Sequence, residues 1–173
     1  MRLCAKIIGA VLIIASCTGY GFALSFELKK RLNELREIKK IMFFLKGEIE
    51  YGLTPIFDAI SEIAQRADGE LKNVLLALIK EQNSSEDFAV IWERVMAKEL
   101  VRTNLSNEEK ERLTALSKSL GLPDKKMQQH AIDNYLDELN VSINTLTGEL
   151  PKKTRLYRCL GLMCGIMITI IIV

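Results

Sequence analysis

The chain has 173 residues and a formal net charge of +2, with 24 Lys and Arg against 22 Asp and Glu, room for one domain plus flanking apolar segments. Apart from Arg2 and Lys6 every charge lies between 27 and 158, where cations and carboxylates are equal in number, so no domain-wide basic footprint for nucleic acid exists. The four cysteines, Cys4, Cys17, Cys159 and Cys164, all sit in or beside the apolar ends, which argues against a disulfide-stapled exterior domain and fits a reducing compartment.

Ile7 to Phe26 carry no charge. As a helix that run extends about 30 Å, the thickness of a hydrocarbon core, so residues 1–26 are expected to form an N-terminal transmembrane anchor. Gly9, Ala10 and Ser16 are small enough to admit a second helix, and are also ordinary membrane-helix residues. A rival reading takes Arg2 and Lys6 as the charged start of a signal peptide and Ile14-Ala15-Ser16-Cys17 as a lipobox. The protein would then be a lipoprotein tethered at Cys17 with an external helical domain. Against this, the apolar run continues past Cys17 through Tyr20, Phe22, Leu24 and Phe26.

Beyond Phe26, Leu28, Leu32, Leu35, Ile38, Met42, Leu45 and Ile49 recur at helical spacing. The first helix therefore continues from the anchor into an amphipathic segment. Lys29, Lys30 and Arg31, with further cations along the helix, outweigh Arg2 and Lys6 across the span. The positive-inside rule then places the middle domain, residues 27–150, in the cytoplasm and the N-terminus outside. The same cations can touch anionic head groups.

Gly52 stops the first helix, and Thr54 and Pro55 suit the cap and first position of a second that runs to about 67. Asp68-Gly69 is a turn before a third helix over about 70–82. A fourth over about 86–102 carries Trp92 as a core anchor. Ser106 to Glu109 is a capping box. The fifth helix that it opens places Leu113, Leu116 and Leu120 inward and ends on Gly121 in a left-handed conformation. Asp124 caps a sixth helix with Met127, Ala131, Tyr135, Leu139, Ile143 and Leu146 on one side. Gly148 and Pro151 predict a kink or short break. A basic collar over 151–158, with Lys152, Lys153, Arg155 and Arg158, precedes the uncharged residues 159–173, a C-terminal anchor of about 22 Å that Tyr157 and a snorkelling Arg158 extend. The expected fold class is all-α: a six-helix cytoplasmic bundle whose first and last helices run into N- and C-terminal transmembrane helices.

The chain has no glycine-rich phosphate loop and no His-Glu-x-x-His. Its single histidine, His130, stands in a polar helix without Cys or His neighbours, so no nucleophilic triad can be assembled around it. Carboxylates sit at ion-pair spacing beside lysines and arginines. No catalytic, cofactor-binding or metal residues are expected, and the pattern is that of an interaction module, not an enzyme.

The stretch Leu45-Lys46-Gly47-Glu48-Ile49-Glu50-Tyr51-Gly52-Leu53-Thr54-Pro55-Ile56 resembles the signature of the stage III sporulation protein AB family, matching at Glu48, Ile49, Tyr51, Gly52, Thr54 and Pro55. Phe88 and Trp92, Leu120-Gly121, and Tyr157 with Leu160-Gly161 extend the resemblance over nearly the whole chain. Pro151 departs from the family's uninterrupted charged helix before the last span. The resemblance implies a membrane protein of endospore formers, in the mother-cell membrane facing the forespore. That family is similar to the cytoplasmic domains of type II secretion F proteins and type IV pilus platform proteins, which connect a hexameric secretion-type ATPase to a membrane assembly. It therefore implies an adaptor whose partners are that ATPase, other channel components and the membrane, with oligomerisation open and no nucleic acid. Gly52, Thr54 and Pro55 read most simply as a sharp helical corner with Tyr51 beneath it. The functional alternative makes Glu48, with Tyr51, a docking residue for the ATPase.

Overall fold

α1 runs unbroken from Arg2 to Tyr51 in the computed structural model. The structure describes residues 2–51, 55–121 and 124–172, and their side chains except at 2–8, 10, 11, 51, 171 and 172. There follow α2 (Ile56–Arg66), α3 (Gly69–Lys80), α4 (Phe88–Glu99) with a 3-10 turn at Leu100–Arg102, α5 (Asn107–Ala115), α6 (Ser117–Leu120) and α7 (Lys125–Ile172). No strand occurs among the described residues, as expected of an all-α chain. The chain divides into two units, Arg31–Asn144 and a second made of Met1–Lys30 with Thr145–Val173.

The unit Arg31–Asn144 is built as water dictates. Leu32, Leu35, Ile38, Met42 and Leu45 on α1 are buried, as are Ile60 and Ile63 on α2, Leu71, Val74, Leu75 and Leu78 on α3, and Ile91, Trp92, Val95 and Met96 on α4. Each large apolar side chain so enclosed contributes about 1.5–3 kcal/mol. Trp92 is 1% exposed, and its indole N–H donates to the Leu113 carbonyl at 3.0 Å, so the group that burial would orphan is satisfied. α7 contributes Ile132, Tyr135, Leu136 and Leu139. Met127, expected on that stripe, is 58% exposed, because the buried face of α7 is centred on Ile132 and Leu136.

Three local expectations change. The fifth helix is two pieces, α5 and α6, separated at Leu116. Gly121 has φ −81°, an ordinary right-handed conformation. It is small because a Cβ there would lie 3.0 Å from the Ala89 Cβ. Among the described residues positive φ occurs only at Gly69, φ +64°, the turn expected with Asp68. The break expected at Gly148–Pro151 is absent, and α7 passes through Pro151 as helix. Pro151 has no N–H to donate within the helix, and both Pro151 and Thr147 stand on its exposed side.

The second unit is organised the opposite way. Its two helices run antiparallel, and their closest approaches are at small residues. A Cβ on Gly21 would stand 2.5 Å from the Tyr157 carbonyl oxygen, one on Gly161 2.7 Å from the Cys17 carbonyl oxygen, and one on Gly165 3.0 Å from the Ile14 Cα. Gly9, the small residue singled out from the sequence, has no neighbour this near, and Ser16 is exposed. Ala10 lies among the residues whose side chains are not described. The large apolar groups face outward: Leu12, Tyr20, Phe22, Phe26, Leu162, Met163, Met167 and Ile170 are all exposed. Ser25 is buried but donates to its own helix at the Gly21 carbonyl, 3.0 Å away. Among the described residues no helix is long and apolar enough to cross a membrane; the side chains of Ile7, Ile8 and Val11, which open the uncharged run, lie outside that set.

The glycine contacts set a register that chemistry can read. A Cβ at Gly165 would lie 3.4 Å from the Cys17 Cβ, at the short edge of the range of about 3.5–4.5 Å for a disulfide. With Cys4, Cys159 and Cys164 replaced by serine, Gly165→Cys is expected to form an intramolecular disulfide with Cys17 under mild oxidation, visible as a mass loss of two hydrogens. Persistence of two free thiols would contradict this register.

Candidate interaction site

Charged groups on α1 hold the segment between the 3-10 turn and α5 in place. The Arg31 guanidinium donates through Nε and Nη2 to the two oxygens of Glu109, each at 2.9 Å. Glu109 also accepts from the Ser106 backbone N–H at 2.7 Å, while its own N–H donates to the Ser106 Oγ at 3.3 Å. The expected capping box is thus present, and one of its members is the counter-ion of α1. One turn further along, Glu34 accepts from the Asn104 backbone N–H and from Asn104 Nδ2, both at 2.8 Å. Tyr135 packs close to this network. Burial pushes its hydroxyl pKa up, Glu109 and Glu138 add to the rise, and Arg112 opposes it, so the phenol stays neutral. Lys46 ties α1 to α7 through Asp133 at 2.6 Å.

Glu48, near the end of α1, lines a groove of about 610 Å³. Its floor is apolar, from Leu45, Ile49, Ile56, Phe88 and Leu120, and its rim carries Glu48, Asp87, Lys118 and Lys125. Phe88 stands edge-on to Phe57 at 5.4 Å and next to Trp92 at 5.8 Å, so the floor belongs to the same aromatic cluster as the core. Among the described residues no His, Cys, Asp and Glu are grouped to hold a metal ion, and His130 is exposed.

Of the residues singled out from the sequence, Glu48 and Pro55 both line the groove. Pro55 takes the capping position of α2, one residue earlier in the helix than expected of it. Its carbonyl accepts from the N–H groups of Asp58 and Ala59 at 3.0 and 3.2 Å. Gly52 and Thr54 lie outside the described residues, as does the side chain of Tyr51. Lys29, Lys30, Lys152, Lys153, Arg155 and Arg158 belong to the unit of paired apolar helices, and Arg31 belongs to the other. Sequence patterning missed Phe88, Lys118 and Lys125 as groove residues and Glu34 and Asn104 as a clamp. These sites join positions far apart in the chain, and helical periodicity reports only on near neighbours.

A family model described as stage III sporulation protein AB matches residues 6–173. The stage III sporulation protein AB of Bacillus subtilis (strain 168) is 26% identical over 168 residues, which covers 96% of this chain and 98% of that protein. A solved structure of a stage III sporulation protein AB superposes with a TM-score of 0.66 at 24% identity, over 70% of this chain and 96% of that one. At that identity the superposition speaks to the fold alone.

The Arg31–Glu109 pair is testable by a double-mutant cycle. Arg31→Met is expected to cost about 1–2 kcal/mol in urea unfolding followed by Trp92 fluorescence, a figure kept low because Arg31 is partly exposed. In a Glu109→Gln background the same change should cost much less. Equal costs in both backgrounds would show the pair to be energetically idle.

Proposed function

The chain belongs to the stage III sporulation protein AB family, and from that premise we propose that it is a membrane-anchored structural adaptor of a sporulation-specific, secretion-like channel. Its two apolar ends cross the mother-cell membrane that faces the forespore, and the unit Arg31–Asn144 stands in the cytoplasm. There it couples a hexameric secretion-type ATPase to the other channel components. It works by binding, without turnover of a substrate.

The observation that carries the membrane part is the inverted burial of the paired helices. Glycines meet at their contact while Leu, Phe, Met and Ile face outward. In water so large an apolar exterior favours association; in hydrocarbon it carries no penalty, and close backbone approach supplies the attraction. Ile7 to Phe26 and residues 159–173 are uncharged, and the cations that follow them inward fit the positive-inside rule. α1 passes through Cys17 as helix, and the Cys17 carbonyl packs on Gly161. A chain cleaved and lipidated there would lose the helix that precedes it. The ATPase part is supported by the family resemblance and by the position of Glu48 on a groove with an apolar lining and charges of both signs.

Topology is the first test. Ser85 lies in the exposed loop before α4; Asn104, by contrast, is clamped by Glu34 and unsuited to insertion. Ser85→Cys, in a chain otherwise free of cysteine and expressed in vegetative cells, is expected to react with a membrane-impermeant thiol reagent only after permeabilisation. Labelling in intact cells would place the domain outside and turn attention to Cys17. Once topology holds, Glu48→Lys should reduce capture of the ATPase at least about tenfold, the loss of one charge-assisted contact, with helicity retained. Unchanged capture by the folded variant removes Glu48 from the docking site.

A further inference from the structure

The uncharged run of α1 extends to Phe26, yet α7 brings a cation alongside it before that point. The register of the paired helices sets Ile14 against Gly165, Cys17 against Gly161 and Gly21 against Tyr157. Arg158 therefore stands level with Phe22, its guanidinium carbon 4.6 Å from the ring centroid. Phe22 lies one helical turn, about 6 Å, inside the end of the uncharged run. Arg155 follows one turn nearer the charged end, and Lys30 sits 5.1 Å above the Phe26 ring. Two cation–aromatic contacts thus fall on the same stretch of the pair.

The charge of this stretch is one-sided. Lys29, Lys30, Lys152, Lys153, Arg155 and Arg158 face only Glu27 and Glu149 within their unit, and Glu149 is engaged by Lys153 at 2.6 Å. Among the described residues no carboxylate lies within ion-pair distance of Lys29, Lys30, Lys152, Arg155 or Arg158. The unit Arg31–Asn144, by contrast, carries more carboxylates than cations. The surplus positive charge of the chain is concentrated where the apolar exterior ends.

We propose that this collar is a binding site for anionic phospholipid, with Arg155 and Arg158 taking the headgroup phosphate and Lys29, Lys30 and Lys152 selecting for net negative charge. A guanidinium matches phosphate oxygens through parallel N–H donors. On the membrane reading, the level of Arg158 beside uncharged Phe22 is where a lipid phosphate lies. A zwitterionic headgroup brings its own cation, which the three lysines repel; an anionic one brings none. The collar then sets the depth of the anchor as well as its lipid company. The inference rests on the membrane reading above.

The test uses the full chain reconstituted in phosphatidylcholine vesicles that contain spin-labelled phosphatidylglycerol or spin-labelled phosphatidylcholine, with the protein-associated fraction of each measured by electron spin resonance. The wild-type chain is expected to favour phosphatidylglycerol, and Arg155→Gln with Arg158→Gln to cut that preference about fivefold or more. Lys39→Gln with Lys40→Gln, in the other unit, should leave it unchanged. The wild-type preference should also fall in about 1 M salt, where the screening length is ~3 Å. Equal association of the two lipids with the wild-type chain overturns the proposal, and so does a preference that survives in the double variant. Should that variant not reconstitute, a wild-type preference indifferent to salt overturns it. Failure of the wild-type chain to co-float with vesicles of any composition would instead sink the membrane reading itself.

Discussion

Between Leu12 and Lys30 of α1, Gly21 and Ser25 are covered while Leu12, Tyr20, Phe22 and Phe26 stand outside, whereas Leu32, Leu35, Ile38, Ile41, Met42 and Leu45 are covered. One uninterrupted helix thus obeys two opposite burial rules. The change occurs within a few residues, around the cations Lys29, Lys30 and Arg31. The hydrophobic effect drives the second pattern. It cannot drive the first, where glycines meet carbonyl oxygens and the attraction comes from close packing of backbone. α7 repeats the same division in reverse order, with Ile132 to Leu139 buried in one unit and Gly161 and Gly165 forming the contact of the other.

Within Arg31–Asn144 the polar clamp adds what apolar packing lacks, which is direction. Leu35 and Ile38 would remain buried under small rotations of α1. The fork of Arg31 on Glu109 and the two bonds from Asn104 to Glu34 do not permit such rotation. Because Glu109 also caps α5, the orientation of α1 and the start of α5 depend on the same carboxylate. The groove beside Glu48 draws its lining from α1, α2, α4, α6 and α7.

Ionisable groups pair with one another, as in Arg94 with Glu81 and Glu86 and Arg112 with Glu108 and Glu138. None of these pairs is set around an enclosed cavity with a nucleophile. Charge is instead distributed by territory: cations gather beside the apolar helices, and carboxylates predominate in the water-type unit.

Most helices, the Ser106 cap and the buried stripe of α1 were legible from the sequence because they are set by interactions a few residues long. The capping box at Ser106, the turn at Gly69 and the stripe from Leu32 to Leu45 are all of this kind. The resemblance at Glu48 to Pro55 likewise identified the family. Tertiary structure decided everything that depended on distant partners. Gly121 is small because of Ala89 and not because of a left-handed turn. Arg31 reads as one more cation in a basic run until Glu109 is placed opposite it. Pro151 looks like a break because the sequence announces a lost hydrogen bond, yet α7 continues through it with Pro151 exposed. Gly21 and Gly161 could be counted in the sequence, but the pairing that makes them necessary exists only when the two ends of the chain lie side by side.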